Sequence, residues 1–115
     1  MLAREVVLEV HEMSLKLPKF EMFEEGQQIK RSSKTTKSTI VEGYGRKRYK
    51  QDWIKFLVYA LSSNDETLDH IENLWETKSL TDELLYNNLR DKIDRLGRML
   101  NGFLKTVEEQ HQSPK

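Results

Sequence analysis

The chain has 115 residues, enough for one domain, with 19 basic and 19 acidic side chains and a formal net charge of zero. With no cysteine among them, a disulfide scaffold, a thiolate zinc site and a cysteine nucleophile are excluded. Two prolines and five glycines are too few for the turns of a β-sandwich, and no apolar run nears the roughly 20 residues of a membrane span.

Four helical stretches follow in order. Val6, Val10, Met13 and Leu17 recur at steps of four, three and four, one face of a helix that Pro18 ends. A short connection through Phe20 leads to a second stretch, about 22–44, with Ile29, Ser33, Thr36 and Ile40 on one stripe. Six of the eight residues from Ser32 to Thr39 carry hydroxyls. Serine and threonine are mediocre helix formers, but on a buried stripe their small size lets another helix approach closely. Gly43 and Gly45 are expected to end this helix, one of them at positive φ.

The third stretch, 50–76, carries Trp53, Leu57, Ala60, Asn64, Leu68, Ile71 and Trp75 at steps of three and four, with Ile54, Val58 and Leu61 widening the stripe. Thr81 is placed to cap the fourth, 81–108, in which Leu85, Leu89, Ile93, Leu96, Leu100, Phe103 and Val107 repeat at near-heptad spacing. The pattern predicts an all-α, antiparallel up-and-down four-helix bundle over 1–109 and a flexible polar tail over 110–115. The first residues lack the basic-then-apolar pattern of a secretion signal, so a cytoplasmic protein without a membrane partner is the expectation.

Zero net charge conceals a segregation. From Lys30 to Lys50 there are eight basic residues against Glu42 alone; from Gln51 to Leu89 there are two basic residues against eight acidic ones. The basic segment supplies a candidate nucleic-acid footprint: Lys30, Arg31, Lys34 and Lys37, then Arg46, Lys47, Arg48 and Lys50, with Tyr44 and Tyr49 as candidate stacking aromatics. The opposing reading is that basic and acidic surfaces satisfy each other, within one copy or between copies. Trp53 and Trp75, at core spacing, read instead as core or interface anchors.

No catalytic constellation emerges. His11, His70 and His111 lie on three segments. Glu66 and His70 share a helix face with Asp69 and Asn73 nearby, which reads as a surface hydrogen bond or ion pair sooner than a metal site. Gly43-Tyr44-Gly45-Arg46 closes a helix, whereas a phosphate loop opens one after a strand. The expectation is a protein that is not an enzyme and holds no cofactor or metal.

Several segments carry a family likeness: Gln28 to Ser33; Ile40-Val41-Glu42-Gly43-Tyr44-Gly45-Arg46; Phe56-Leu57 to Ser62-Ser63 with Glu66; Leu80-Thr81-Asp82; and Met99-Leu100-Asn101-Gly102-Phe103. Over about Val6 to Val107 the chain resembles the four-helix-bundle family encoded in intervening sequences of 23S ribosomal RNA genes. The junction Glu42, Gly43, Gly45 and the helix after it are its most specific parts. The resemblance implies a ring-shaped homopentamer and no established biochemical activity. The chain departs from many members at Lys37 and Thr39, where proline and asparagine stand. The accessory subunit of diversity-generating retroelements resembles the same bundle; it is a basic pentamer that binds nucleic acid and a reverse transcriptase. The leading expectation is a non-enzymatic homopentameric scaffold or interaction protein, its partners further copies of itself or another protein. The alternative is a ring that binds RNA or DNA through the basic segment.

Overall fold

The computed structural model describes residues 1–112, with side chains through Gln110. It contains α1 (Leu2–Ser14), a one-turn α2 (Lys19–Met22), α3 (Glu25–Gly45), α4 (Lys50–Glu76) and α5 (Glu83–Gln112), with no strand among the described residues. The four long helices pack in a closed circuit, α1 on α3, α3 on α4, α4 on α5 and α5 back on α1. The body measures 56 × 21 × 20 Å.

Side-chain pairs fix the directions. Between α3 and α4, Glu25 meets His70, Ser32 meets Thr67 and Gly43 lies against Phe56, so the two helices run antiparallel. Between α4 and α5, Asn64 reaches the Ile93 carbonyl, Glu72 pairs with Arg90 and Trp75 stacks on Tyr86, again antiparallel. The up-and-down order leaves two distinct ends. One holds the α3–α4 turn, residues 46–49; the other holds α2 and the α4–α5 connection.

The stripes read in the sequence line the core: Val6, Val10 and Met13 from α1, Ile29 from α3, Leu57, Ala60 and Ile71 from α4, and Leu89, Ile93, Leu96 and Leu100 from α5 are all buried. Burial at about 25 cal/mol per Å² of apolar surface is what commits each amphipathic helix to this side. Through the core between α3 and α4 runs a polar seam. The Ser32 and Thr67 hydroxyls hydrogen-bond each other at 2.8 Å, while Thr36 and Thr67 also donate to carbonyls one turn back. Buried hydroxyls are thus satisfied inside their own helices, which removes most of the cost of burying them. Asn64 donates to the Ile93 carbonyl at 2.9 Å across to α5, and its Oδ1 is buried with no hydrogen-bond partner.

Five local expectations need correction. Pro18 does not mark the end of the first helix, which closes at Ser14, where its hydroxyl donates to the His11 carbonyl at 2.7 Å. The connection through Phe20 is itself a helical turn, and α3 begins at Glu25, whose backbone N–H is accepted by Glu21 Oε1. Asp82, not Thr81, caps α5: its Oδ1 accepts the Leu85 N–H at 3.0 Å. The helix continues to Gln112, so residues 110–112 of the expected tail are helical, and 113–115 lie outside the described residues. The core stripes are also narrower than expected, since Val58 and Phe103 are 46% and 49% exposed.

The glycines before the turn are the instructive error. Neither has positive φ, and both are helical residues of α3; the positive φ among the described residues belongs to Lys78, just past α4. Gly43 is required by proximity instead. A Cβ built there would lie 2.5 Å from Phe56 Cβ and 2.9 Å from the Trp53 ring, while one at Gly45 meets nothing within 4 Å. Gly43→Ala is therefore expected to destabilise by about 1–3 kcal/mol through overpacking. Gly45→Ala is expected to be neutral or stabilising by up to about 1 kcal/mol. Urea unfolding of the two variants distinguishes this from a turn that needs glycine conformations, which would make Gly45→Ala the costlier change.

Lys92, half-buried on α5, bridges to α1, with Glu9 accepting its strongest hydrogen bond and Glu5 at 3.5 Å. The Glu9 hydrogen bond raises the Lys92 pKa above its ordinary 10.5. A raised folded-state pKa means that this stabilisation is complete below 10.5 and disappears as pH climbs through the elevated value. Lys92→Met is expected to cost about 0.5–1 kcal/mol at neutral pH. Thermal melts of wild type and variant should converge as the pH is taken above 10.5.

Candidate functional site

The ten basic and aromatic candidates do not form one patch. Lys30, Arg31, Lys34 and Lys37 lie in the first two-thirds of α3, where Arg31 and Lys34 point into solvent and Lys30 and Lys37 are half-buried at its flank. Tyr44 sits in the last turn of α3, Arg46 to Tyr49 form the connection, and Lys50 opens α4. Sixteen residues of helix place Lys30 and Arg46 about 24 Å apart along the axis. A stripe at steps of four and three, Lys30-Lys34-Lys37, is thus one feature and the turn another.

The electrical opposite of the lysine stripe lies on α4, on the far flank of the helix pair: the lysine stripe runs on to Val41 beside Met1 at the head of α1, while the acidic one takes in Glu72, paired with Arg90 of α5. The outward face of α4 exposes Asp65, Glu66, Asp69 and Glu76. The antiparallel pairing, with Ser32 opposite Thr67, brings Asp65, Glu66 and Asp69 to the same height as Lys30, Arg31 and Lys34, and Arg31 and Glu66 line one groove. None of Lys30, Arg31, Lys34 and Lys37 forms an ion pair with these carboxylates among the described residues. The ion pairs lie elsewhere: Arg46–Asp52, His70–Glu25, Arg90–Glu72, Lys92 with Glu5 and Glu9, and Arg98–Asp94. Lying on opposite flanks of the α3–α4 pair, the two stripes present opposite charge without closing contacts.

The turn is organised by cation–aromatic contacts. Lys47 Nζ lies 4.2 Å from the Tyr44 ring centre and donates a hydrogen bond to its hydroxyl at 3.0 Å. That bond, reinforced by the Lys47 charge, lowers the Tyr44 pKa from its ordinary 10.0. Arg48 lies 5.9 Å from the Tyr49 ring and Arg46 5.7 Å from that of Phe56. The two tyrosines proposed as stacking platforms therefore each hold a cation of the same chain. Trp53 is half-buried edge-on to Tyr44, with ring centres 6.3 Å apart, and Trp75 stacks on Tyr86 at 4.7 Å.

At the other end, a groove of about 460 Å³ separates α3 from α4, with Arg31 and Gln27 on one wall and Glu66, Ser63 and His70 on the other. His70 Nδ1 meets Glu25 Oε1 at 2.6 Å, and Asn73 donates to the same oxygen at 3.3 Å. The Glu66/His70 pair read from helix spacing thus gives way to a contact between helices, 45 residues apart in sequence. Glu66 and His70 Nε2 are the atoms there that suit a metal, but among the described residues no group of three or more histidine or acidic side chains is placed to hold one. No helix of the described residues is long and apolar enough to cross a membrane.

The closed circuit of four helices, its hydroxyl-lined α3–α4 seam and its glycine-sealed turn define a small four-helix bundle class. Residues 1–102 match the family model described as 23S rRNA-intervening sequence protein. The chain belongs to that family. A crystal structure at 1.70 Å resolution of a protein with unknown function from the S23 ribosomal protein family of Bacteroides thetaiotaomicron VPI-5482 shares the fold. Its TM-score is 0.81 at 23% sequence identity, covering 90% of this chain and 95% of that one. No curated protein matches.

Proposed function

We propose that this protein is a non-enzymatic scaffold that works by assembling with copies of itself into a ring, a homopentamer on the family resemblance. The observation that carries the reading is a basic face on α3, Lys30, Arg31, Lys34 and Lys37, and an acidic face on α4, Asp65, Glu66, Asp69 and Glu76, on different flanks of the bundle and without ion pairs between them among the described residues. A basic face of one copy set against the acidic face of the next is a heterologous contact, and it closes into a ring when the rotation per copy permits. Contacts of this kind are individually weak in salt, so repetition around a ring supplies the strength.

Light scattering at micromolar concentration, in moderate and in high salt, tests the assembly. The expected outcome is a multiple of the chain mass that loosens as salt rises. Lys34→Glu should lower the mass, and Lys34→Glu combined with Asp69→Lys should recover part of it. A monomer mass at both ionic strengths overturns the proposal.

A second reading, a ring that binds RNA or DNA, is favoured by the Lys30-Lys34-Lys37 stripe, whose spacing would set phosphate contacts in a row. Labelled RNA and DNA titrated across a salt series distinguish it, because release of counterions makes such binding fall steeply with salt. No binding at low salt would leave the stripe to contacts between copies.

A further inference from the structure

The turn end of the bundle is apolar in a way that neither the charged faces nor the ring accounts for. Two recesses adjoin there. One, of about 310 Å³, is lined by Ile40, Tyr44, Trp53, Phe103 and Val107, with Lys47 on its edge. The other, of about 280 Å³, is lined by Ile40, Val41 and Tyr44 with Met1. Ile40 and Tyr44 belong to both, so the two form one surface. Val41 is 55% exposed, Tyr44 60% and Phe103 49%. Contiguous exposed apolar side chains of this size on a soluble bundle mark a contact site.

The charges beside the recesses select the partner. Arg46, Lys47 and Arg48 follow one another in the turn, and Glu42 is the one acidic residue from Lys30 to Lys50. Asp52 is held by Arg46 at 3.9 Å. On α5, Phe103, Thr106, Val107 and Gln110 face the recess at steps of three, one and three. Glu108 falls off that face by the helical period. Nucleic acid fits poorly: Lys47 covers the Tyr44 ring, and Ile40, Val41 and Val107 offer aliphatic walls with no partner for a base edge.

We infer that this end docks an acidic amphipathic helix of another protein, its apolar residues at i and i+3 or i+4 seated in the two recesses and its carboxylates on Arg46, Lys47 and Arg48. Side chains one helical turn apart lie about 5–6 Å from each other, the spacing at which one helix face can enter two adjoining recesses. The inference does not depend on self-assembly.

The test is fluorescence anisotropy of the full chain with three labelled probes: an amphipathic peptide of leucine and glutamate, its twin with lysine in place of glutamate, and an oligothymidylate. The expected result is binding of the glutamate peptide alone, weakened at least about tenfold by Phe103→Asp or by Val41→Asp. Arg48→Glu, a turn cation outside the lining of both recesses, should weaken it while leaving them intact, and Leu84→Asp, 71% exposed at the other end, should not. Circular dichroism of each variant checks that the bundle is kept. No binding of the glutamate peptide, equal binding of the lysine twin, or oligothymidylate binding lost in the same variants overturns the inference. So does a drop in assembly mass for Val41→Asp with no peptide bound, which would assign the surface to contacts between copies.

Discussion

The closeness of α3 to α4 is the constraint on which the rest of the structure depends. Two helices of 21 and 27 residues lie side by side because what stands between them is small: the paired hydroxyls of Ser32 and Thr67, Thr36, and at the turn end the bare Cα of Gly43. A bulkier seam would separate the helices, move Phe56 and Trp53 off Gly43 and lengthen the path that four connecting residues must span. The seam is made of side chains that satisfy their own hydrogen bonds within a helical turn. Close approach therefore carries little of the desolvation cost that buried polar groups usually impose.

Several distant features inherit their positions from this pairing. The short loop at 46–49 holds Lys47 against Tyr44 because α3 and α4 turn sharply about Gly43. At the other end the same antiparallel alignment delivers Glu25 to His70 and Glu21 to Ser79, at 2.6 Å in both cases. It also sets the lysine stripe of α3 level with the acidic face of α4. A chain with zero net charge thereby carries a basic stripe on the α1 flank of α3 and an acidic one on the α5 flank of α4, both left to solvent instead of pairing.

How much of this was legible in the sequence follows the range of each interaction. The stripe from Trp53 to Trp75 places α4 at 50–76, the span it occupies, because a three-four repeat needs only neighbours within two turns to be recognised. The lysine stripe and the acidic face were equally readable, being helix-local. Glu25 with His70 and Glu21 with Ser79 were not: their partners are 45 and 58 residues away, and nothing local distinguishes those carboxylates from other surface glutamates. Gly43 carried a true signal given the wrong cause. A glycine near a helix end usually supplies a left-handed cap, and only the position of Phe56 Cβ reveals that here it supplies absence of volume. Phe103 was read as core from its heptad position, but it stands 49% exposed at the rim of the turn-end recess, while Val107, one turn further along α5, is buried.

The two kinds of surface sit in different places. Along the middle of α3 and α4, near Lys34 and Asp69, the buried stripes are consumed by the core and the outward side chains are mostly polar or charged. At the turn end, Phe103 and Tyr44 stay exposed around a recess that Ile40, Trp53 and the buried Val107 also line. The physical consequences differ accordingly. Contacts through the charged faces act over a Debye length of about 8 Å at physiological salt and chiefly govern how fast and in what orientation partners meet. Contacts through the apolar end act only at van der Waals distance and chiefly govern how long a partner stays. A bundle with both, on separate parts of one rod, can be oriented by the first and retained by the second, because a change at Lys34 leaves the recess at Phe103 untouched.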